Sequence, residues 1–138
     1  MRVALYARVS TSDRGQTVET QLVALREYAV RRGWTVTKEY CDIISGSKES
    51  RPALNELMND ARRRRFDCLL IWKLDRLGRS LKHLLSTLDW LNELGISFVS
   101  LTDSIDLSTA QGKLMFSVIV AMAEFERSLI QERVRAGM

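Results

Sequence analysis

The sequence predicts an α/β fold: a mostly parallel sheet of four or five strands, flanked by helices and followed by one long C-terminal helix. Three observations carry this expectation. Short apolar runs alternate along the chain with longer segments whose apolar residues recur at helical spacing. Only one proline and seven glycines interrupt 138 residues, which favours long regular elements. Hydrophobic residues at 46% and charged residues at 28% are ordinary globular values that exclude a disordered or collagen-like chain. A chain of this length makes one domain and buries roughly 68–70% of its unfolded surface.

The elements follow in order. Arg2 to Val9 is an apolar run of strand formers, and polar Ser10 to Gln16 reads as a loop. Val18, Leu22, Leu25 and Ala29 then recur at helical spacing until Gly33 supplies a stop. Trp34 to Tyr40 alternates as a second strand and gives way to a polar loop, Asp42 to Ser50. A second helix starts near Ser50 with Pro52 in its first turn and Ala53, Leu54, Leu57, Met58 and Ala61 inward. Cys68 to Trp72 is a fully apolar third strand, followed by Lys73 to Arg79. A helix capped by Ser80 turns Leu81, Leu84, Leu85, Leu88 and Leu91 inward and ends at Gly95. Ile96 to Leu101 makes the fourth strand, with a short edge strand expected around Ile105 to Leu107. From about Ala110 to Arg135 runs one helix without a breaker.

The charge is modest in size and informative in kind. The net +4 comes from 16 arginines and 5 lysines against 17 acids, with a pI of about 9.4. Arginine's rigid fork binds phosphate oxygens bidentately, so this bias favours a phosphate-rich partner such as nucleic acid over a merely solvated surface. No apolar run approaches the ~18 residues of a membrane span, and Arg8 arrives too early for a signal peptide. Cys41 and Cys68 fit buried thiols in a reducing compartment, so the expected location is cytoplasmic. One histidine, His83, and no cysteine cluster argue against a zinc site, and no metal or cofactor is expected.

Parallel sheets bind ligands at the carboxyl ends of their strands, which directs attention to the strand-end loops. After the first strand, Arg8 and Ser10 stand two residues apart and project together. A serine hydroxyl beside a fixed cation is a candidate nucleophile; the competing role for Ser10 and Thr11 is a simple hydroxyl turn. The third loop holds Asp75, Arg76, Gly78 and Arg79, and Arg51 follows the Ser45-Gly46-Ser47 loop. Singly, each reads as a solvated helix start. Together they place one hydroxyl and four guanidinium groups on one rim, a set suited to neutralising the charge that develops on phosphate oxygens during displacement. The glycine positions provide neither a dinucleotide fingerprint nor a phosphate-binding loop of the nucleotide-hydrolase kind, and Ser10 lies in no nucleophile elbow.

At these residues the sequence resembles the serine recombinases, the resolvase/invertase family of site-specific DNA recombinases. The resemblance rests on Tyr6-Ala7-Arg8-Val9-Ser10-Thr11, on Asp42 to Arg51, on Lys73 to Arg79, and on the long helix with Glu126-Arg127 and Glu132-Arg133. It implies that residues 1–138 form the family's catalytic domain, with residues from about 110 to 138 as a dimerisation helix. It implies that Ser10 attacks a phosphodiester of double-stranded DNA, leaving a 5′-phosphoseryl link and a free 3′-hydroxyl. Arg8, Arg51, Arg76 and Arg79 match the phosphate-binding arginines, and Asp75 matches a carboxylate that serves as general acid or organises Arg76. Tyr6, Asp42 and Arg127 match supporting positions, and Gln21 matches a glutamine near the scissile phosphate. The stretch Asp13 to Gln16 is longer than in small resolvases, which leaves open whether Gln16 or Gln21 nears the phosphate. The resemblance further implies a homodimer that assembles to a homotetramer, association with the nucleoid when bound to DNA, and a DNA-recognition domain that this chain, ending at Met138, lacks.

Two further segments bear on partners. In the last helix Val118, Met122, Phe125 and Leu129 make one apolar seam, while Phe116, Ile119, Val120 and Ala123 make another face apolar. Such a helix must bury more than one side, either within the domain or against a second subunit. Arg62 to Arg65 close the second helix, where cations complement the negative end of the helix dipole; a DNA-backbone contact is the alternative. Two rival functional classes are a non-catalytic α/β dimerisation module and a receiver-like phosphoacceptor. The first strand lacks the acidic pair that a receiver uses.

Overall fold

The computed structural model describes residues 1–10, 17–44, 52–73 and 81–137. These form two compact units, Met1–Ile105 and Asp106–Met138. The elements are β1 (Arg2–Ser10), α1 (Val18–Arg32), β2 (Thr35–Ile44), α2 (Pro52–Arg62), β3 (Cys68–Ile71), α3 (Leu81–Glu93), β4 (Ser97–Ser100), β5 (Ile105–Asp106) and α4 (Ala110–Ala136). The sheet has five strands in the order β2-β1-β3-β4-β5. The pairs β1/β2, β1/β3 and β3/β4 are all parallel, so the predicted α/β class holds.

Chain direction across the sheet decides which face each helix covers. The step from β1 to β2 runs one way, and the steps to β3 and β4 run the other. Right-handed crossovers therefore put α1 on one face and α2 with α3 on the other. Against α1, Val3, Leu5, Ala7, Cys68, Leu70 and Val99 pack with Leu22, Leu25 and Ala29 in one buried cluster. The alternate residues Ala4, Tyr6, Leu69 and Ile71 are equally buried and need cover on the second face. Leu54, Leu57 and Ala61 of α2 and Leu84, Leu88 and Leu91 of α3 are the buried residues that supply it.

Caps set the ends of α1. The Thr17 side chain accepts a hydrogen bond from the Thr20 N–H at 3.2 Å, and Gly33 closes the helix in the left-handed region at φ 70°. The equivalent start of α4 is Thr109, whose hydroxyl oxygen accepts from the Gly112 N–H at 3.0 Å. Along α4, Leu114, Met115, Val118, Met122 and Phe125 are all exposed. No helix among the described residues is long and apolar enough to cross a membrane.

Two expectations need correction. The second strand does not stop at Tyr40; it runs to Ile44, because Cys41, Asp42, Ile43 and Ile44 pair in register with Ala7, Arg8, Val9 and Ser10. Asp42 is thus a strand residue rather than the start of a loop. Cys41 is exposed while Cys68 is buried. The reason is the pleat of an edge strand: Tyr40 and Asp42 turn inward, so Cys41 between them turns out.

Candidate active site

Strand β1 lies between β2 and β3, and its carboxyl end stands on one rim of the sheet, flanked by the ends of both neighbours. Ser10 is its last residue and Arg8 stands two before it, both half-buried. Alternation puts their side chains on one face, the face of Tyr6 and of α2. Arg8 is in register with Asp42, and Ser10 with Ile44. Gln16, Arg51, Asp75, Arg76 and Arg79 lie outside the described residues. Arg127 is on α4 and exposed.

Below the rim, two buried polar side chains hold the strand end. The first is Asp42, only 3% exposed. Its Oδ2 accepts the Tyr6 hydroxyl at 2.8 Å and the Leu54 N–H at 3.0 Å. Its Oδ1 accepts the Ala53 N–H at 2.9 Å. Pro52 opens α2 and has no N–H, so Asp42 satisfies the next two orphan donors of the first turn. A carboxylate at that place also complements the positive end of the helix dipole. One residue thus ties β1, β2 and α2 together immediately after Arg51 in the chain. Local sequence gives no warning of this cap, because it comes from eleven residues away.

The second is Gln21, fully enclosed at 0% exposure. Its Oε1 accepts the Arg8 N–H at 3.2 Å, and its Nε2 donates to the Arg8 carbonyl at 2.9 Å. Of the two glutamines weighed for the phosphate, this one is bonded to the Arg8 peptide.

Other polar clusters lie elsewhere in the first unit. The Tyr40 hydroxyl donates to Asp60 at 2.5 Å, and burial together with that carboxylate pushes the phenol well above its ordinary range. Arg26 bridges Glu39 and Glu19 at 2.5 and 2.7 Å, and its hydrogen bond holds the Glu39 carboxyl below the usual carboxylate value. Arg62 lies over the Trp90 ring at 5.5 Å in a groove between α2 and α3 that His83 also lines.

Residues 3–138 match the family model described as the N-terminal domain of resolvases. The chain is similar to the serine recombinase Gin of Escherichia phage Mu, with 47% identity over 133 residues, 96% of this chain and 64% of that protein. It is also similar to the transposon Tn917 resolvase of Enterococcus faecalis, at 38% identity over 96% of this chain and 67% of the relative. Among solved structures, the N-terminal catalytic domain of TP901-1 integrase superposes with a TM-score of 0.81 at 42% identity, covering 94% of this chain and 98% of that one. The chain therefore spans less than two thirds of the length of the phage Mu protein.

Proposed function

Because the chain belongs to the resolvase family of serine recombinases, we propose that it is the catalytic domain of a site-specific DNA recombinase. In this reading Ser10 Oγ attacks the phosphorus of a DNA phosphodiester and the bond from phosphorus to O3′ breaks. The serine proton passes to water, and the departing O3′ gains one from Asp75 or from a group that Asp75 organises. The products are a 5′-phosphoserine and a free 3′-hydroxyl. One phosphate ester replaces another, so attack by a 3′-hydroxyl on the phosphoserine rejoins the strand without an added energy source. Arg8, Arg51, Arg76 and Arg79 neutralise the phosphate oxygens as charge develops on them.

The observation that carries the reading is the position of Ser10. It closes β1, an interior strand with a parallel neighbour on each side, two residues after Arg8, on the rim where this fold class binds ligands. The adjacent strands β2 and β3 run parallel to β1, and the sequences that follow them hold Arg51 and Asp75 to Arg79. The named relatives, a recombinase and a resolvase, agree with DNA as the partner.

The same reading treats residues 1–138 as the catalytic part of a longer protein with a separate DNA-recognition domain. Leu114, Met115, Val118, Met122 and Phe125 fall on one side of α4 at about 100° per residue. That exposed stripe supports homodimers that pair into a homotetramer, and its two methionines suit a surface that repacks between the two states.

The test uses a protein in which this chain is joined to its DNA-recognition domain, with supercoiled DNA carrying the cognate site. Denaturant is added, and protein bound to 5′ ends is measured. Adducts that disappear in Ser10→Ala support the assignment. No adduct from an assembled complex, as a non-catalytic module would give, or an adduct that survives the substitution, overturns it.

A further inference from the structure

We infer that Gln21 is a positioning residue that completes the β1 hydrogen-bond ladder at Arg8 and so fixes where the Arg8 guanidinium stands, rather than a ligand of the phosphate. The inference rests on the reading of Arg8 and Ser10 given above.

The argument starts from main-chain geometry. In a parallel sheet, alternate residues of a central strand turn both their peptide groups toward the same neighbour. The Met1 carbonyl accepts from the Thr35 N–H at 3.0 Å, and the Arg2 carbonyl accepts from the Asp67 N–H at 2.8 Å. Odd-numbered residues of β1 therefore face β2, and even-numbered ones face β3. The β3 register ends with Ile71 opposite Tyr6. Arg8 is the next even residue, one step beyond that register.

Gln21 of α1 supplies the bonds that a next strand residue would supply. Its amide takes the Arg8 N–H at 3.2 Å and gives a proton to the Arg8 carbonyl at 2.9 Å, the same pair of bonds a third strand would make. Its full enclosure commits it to the strand. A buried peptide left without such partners would relax toward water or shift to find new ones. Either movement displaces Arg8, and Ser10 two residues later, by the fraction of an ångström to which reacting groups are sensitive.

Two measurements test this. Amide exchange on this chain reads the clamp directly: Gln21→Met reduces protection of the Arg8 amide by about tenfold or more, while the Leu5 and Ala7 amides, paired with β2, keep theirs. Adduct formation with the DNA-recognition domain attached reads the consequence. At saturating DNA, Gln21→Met slows it by about 10–100-fold with DNA affinity unchanged within about threefold, and has little further effect in an Arg8→Ala background. Gln21→Glu, which keeps the acceptor for the Arg8 N–H and loses the donor, is the second variant should methionine prevent folding; it preserves the amide protection and still slows the reaction. Equal slowing in both Arg8 backgrounds, or weakened DNA binding with a shallower salt dependence, marks a phosphate ligand and overturns the inference. Unchanged Arg8 protection in a folded Gln21→Met variant overturns it as well. If the parent protein forms no adduct, the recombinase reading fails, and the exchange measurement still decides the clamp.

Discussion

Replacing Asp42 by alanine removes the acceptor for three donors at once: the Tyr6 hydroxyl and the Ala53 and Leu54 N–H groups. The two backbone donors belong to a helix start, and losing a cap of this kind costs about 1–2 kcal/mol. The Tyr6 side chain is fully buried, so loss of the carboxylate that accepts its hydroxyl costs about 1–3 kcal/mol. Together these give about 2–5 kcal/mol, a large share of the stability of a small domain. Asp42→Asn keeps one oxygen but turns an amide nitrogen toward one of the three donors, and costs about 1–2 kcal/mol. The apportioning is checked by a cycle with Tyr6→Phe. Phenylalanine has no hydroxyl bond to Asp42 to lose, so Asp42→Ala costs about 1–3 kcal/mol less in that background. Urea unfolding followed by circular dichroism measures the four proteins of the cycle and Asp42→Asn. A loss below about 1 kcal/mol for Asp42→Ala, or strict additivity with Tyr6→Phe, refutes the argument that this carboxylate joins β1 to α2.

Three further outcomes follow from single features. Gly33→Ala places a side chain at φ 70° with open space around it, so only the left-handed backbone is penalised; the loss is about 1–2 kcal/mol in a melt, and a change near zero contradicts it. At Gly112 an added Cβ would lie 1.6 Å from the Asp106 carbonyl oxygen, so Gly112→Ala forces the start of α4 to move; loss of exchange protection in its first turn is the expected readout, and an unaltered turn refutes the close approach. The Glu39 carboxyl is held low by Arg26, so its contribution is present above the ordinary carboxylate range and is lost as pH falls through the lowered folded value. Glu39→Gln therefore flattens the acid limb of the stability profile and leaves the alkaline limb unchanged; equal changes on both limbs contradict the assignment.

Much of the fold was legible because its signals are local. The apolar runs at β1, β3 and β4 are buried on both faces, so they read as continuous hydrophobic strands. The helix faces of α1, α2 and α3 follow the 3.6-residue period, and Gly33 stops α1 as its chemistry requires. What was hidden depends on partners distant in the chain. The extension of β2 through Asp42 is polar in sequence and looked like a loop. It is strand because β1 offers ladder bonds up to Ser10. The exposure of Cys41 is hidden for the same reason, since its side depends on that register. Asp60 is buried under Tyr40 twenty residues away, a pairing that periodicity cannot announce. At the rim, Ser10 and Arg8 were picked out by type and spacing. The bracing bonds of Asp42 and Gln21 became visible only with the strand order known.

The described buried polar side chains are Gln21, Asp42, Asp60 and Ser100, set in an otherwise apolar core. Burying a polar group costs free energy unless it is bonded, and an apolar residue of similar volume often holds a fold as well or better. Directional bonds do what apolar contacts cannot: they fix a peptide plane and a helix start in position. Asp42 fixes the turn that follows Arg51, and Gln21 fixes the peptide of Arg8. Hydrophobic packing tolerates small shifts, whereas transfer at phosphorus requires nucleophile and cations to be held near their reacting geometry before the substrate arrives. Apolar replacements at Gln21 should consequently reduce reaction rate by more than their effect on unfolding predicts, while replacements among Leu5, Leu25 and Leu70 should do the reverse. That contrast separates a polar group retained for geometry from one retained for cohesion.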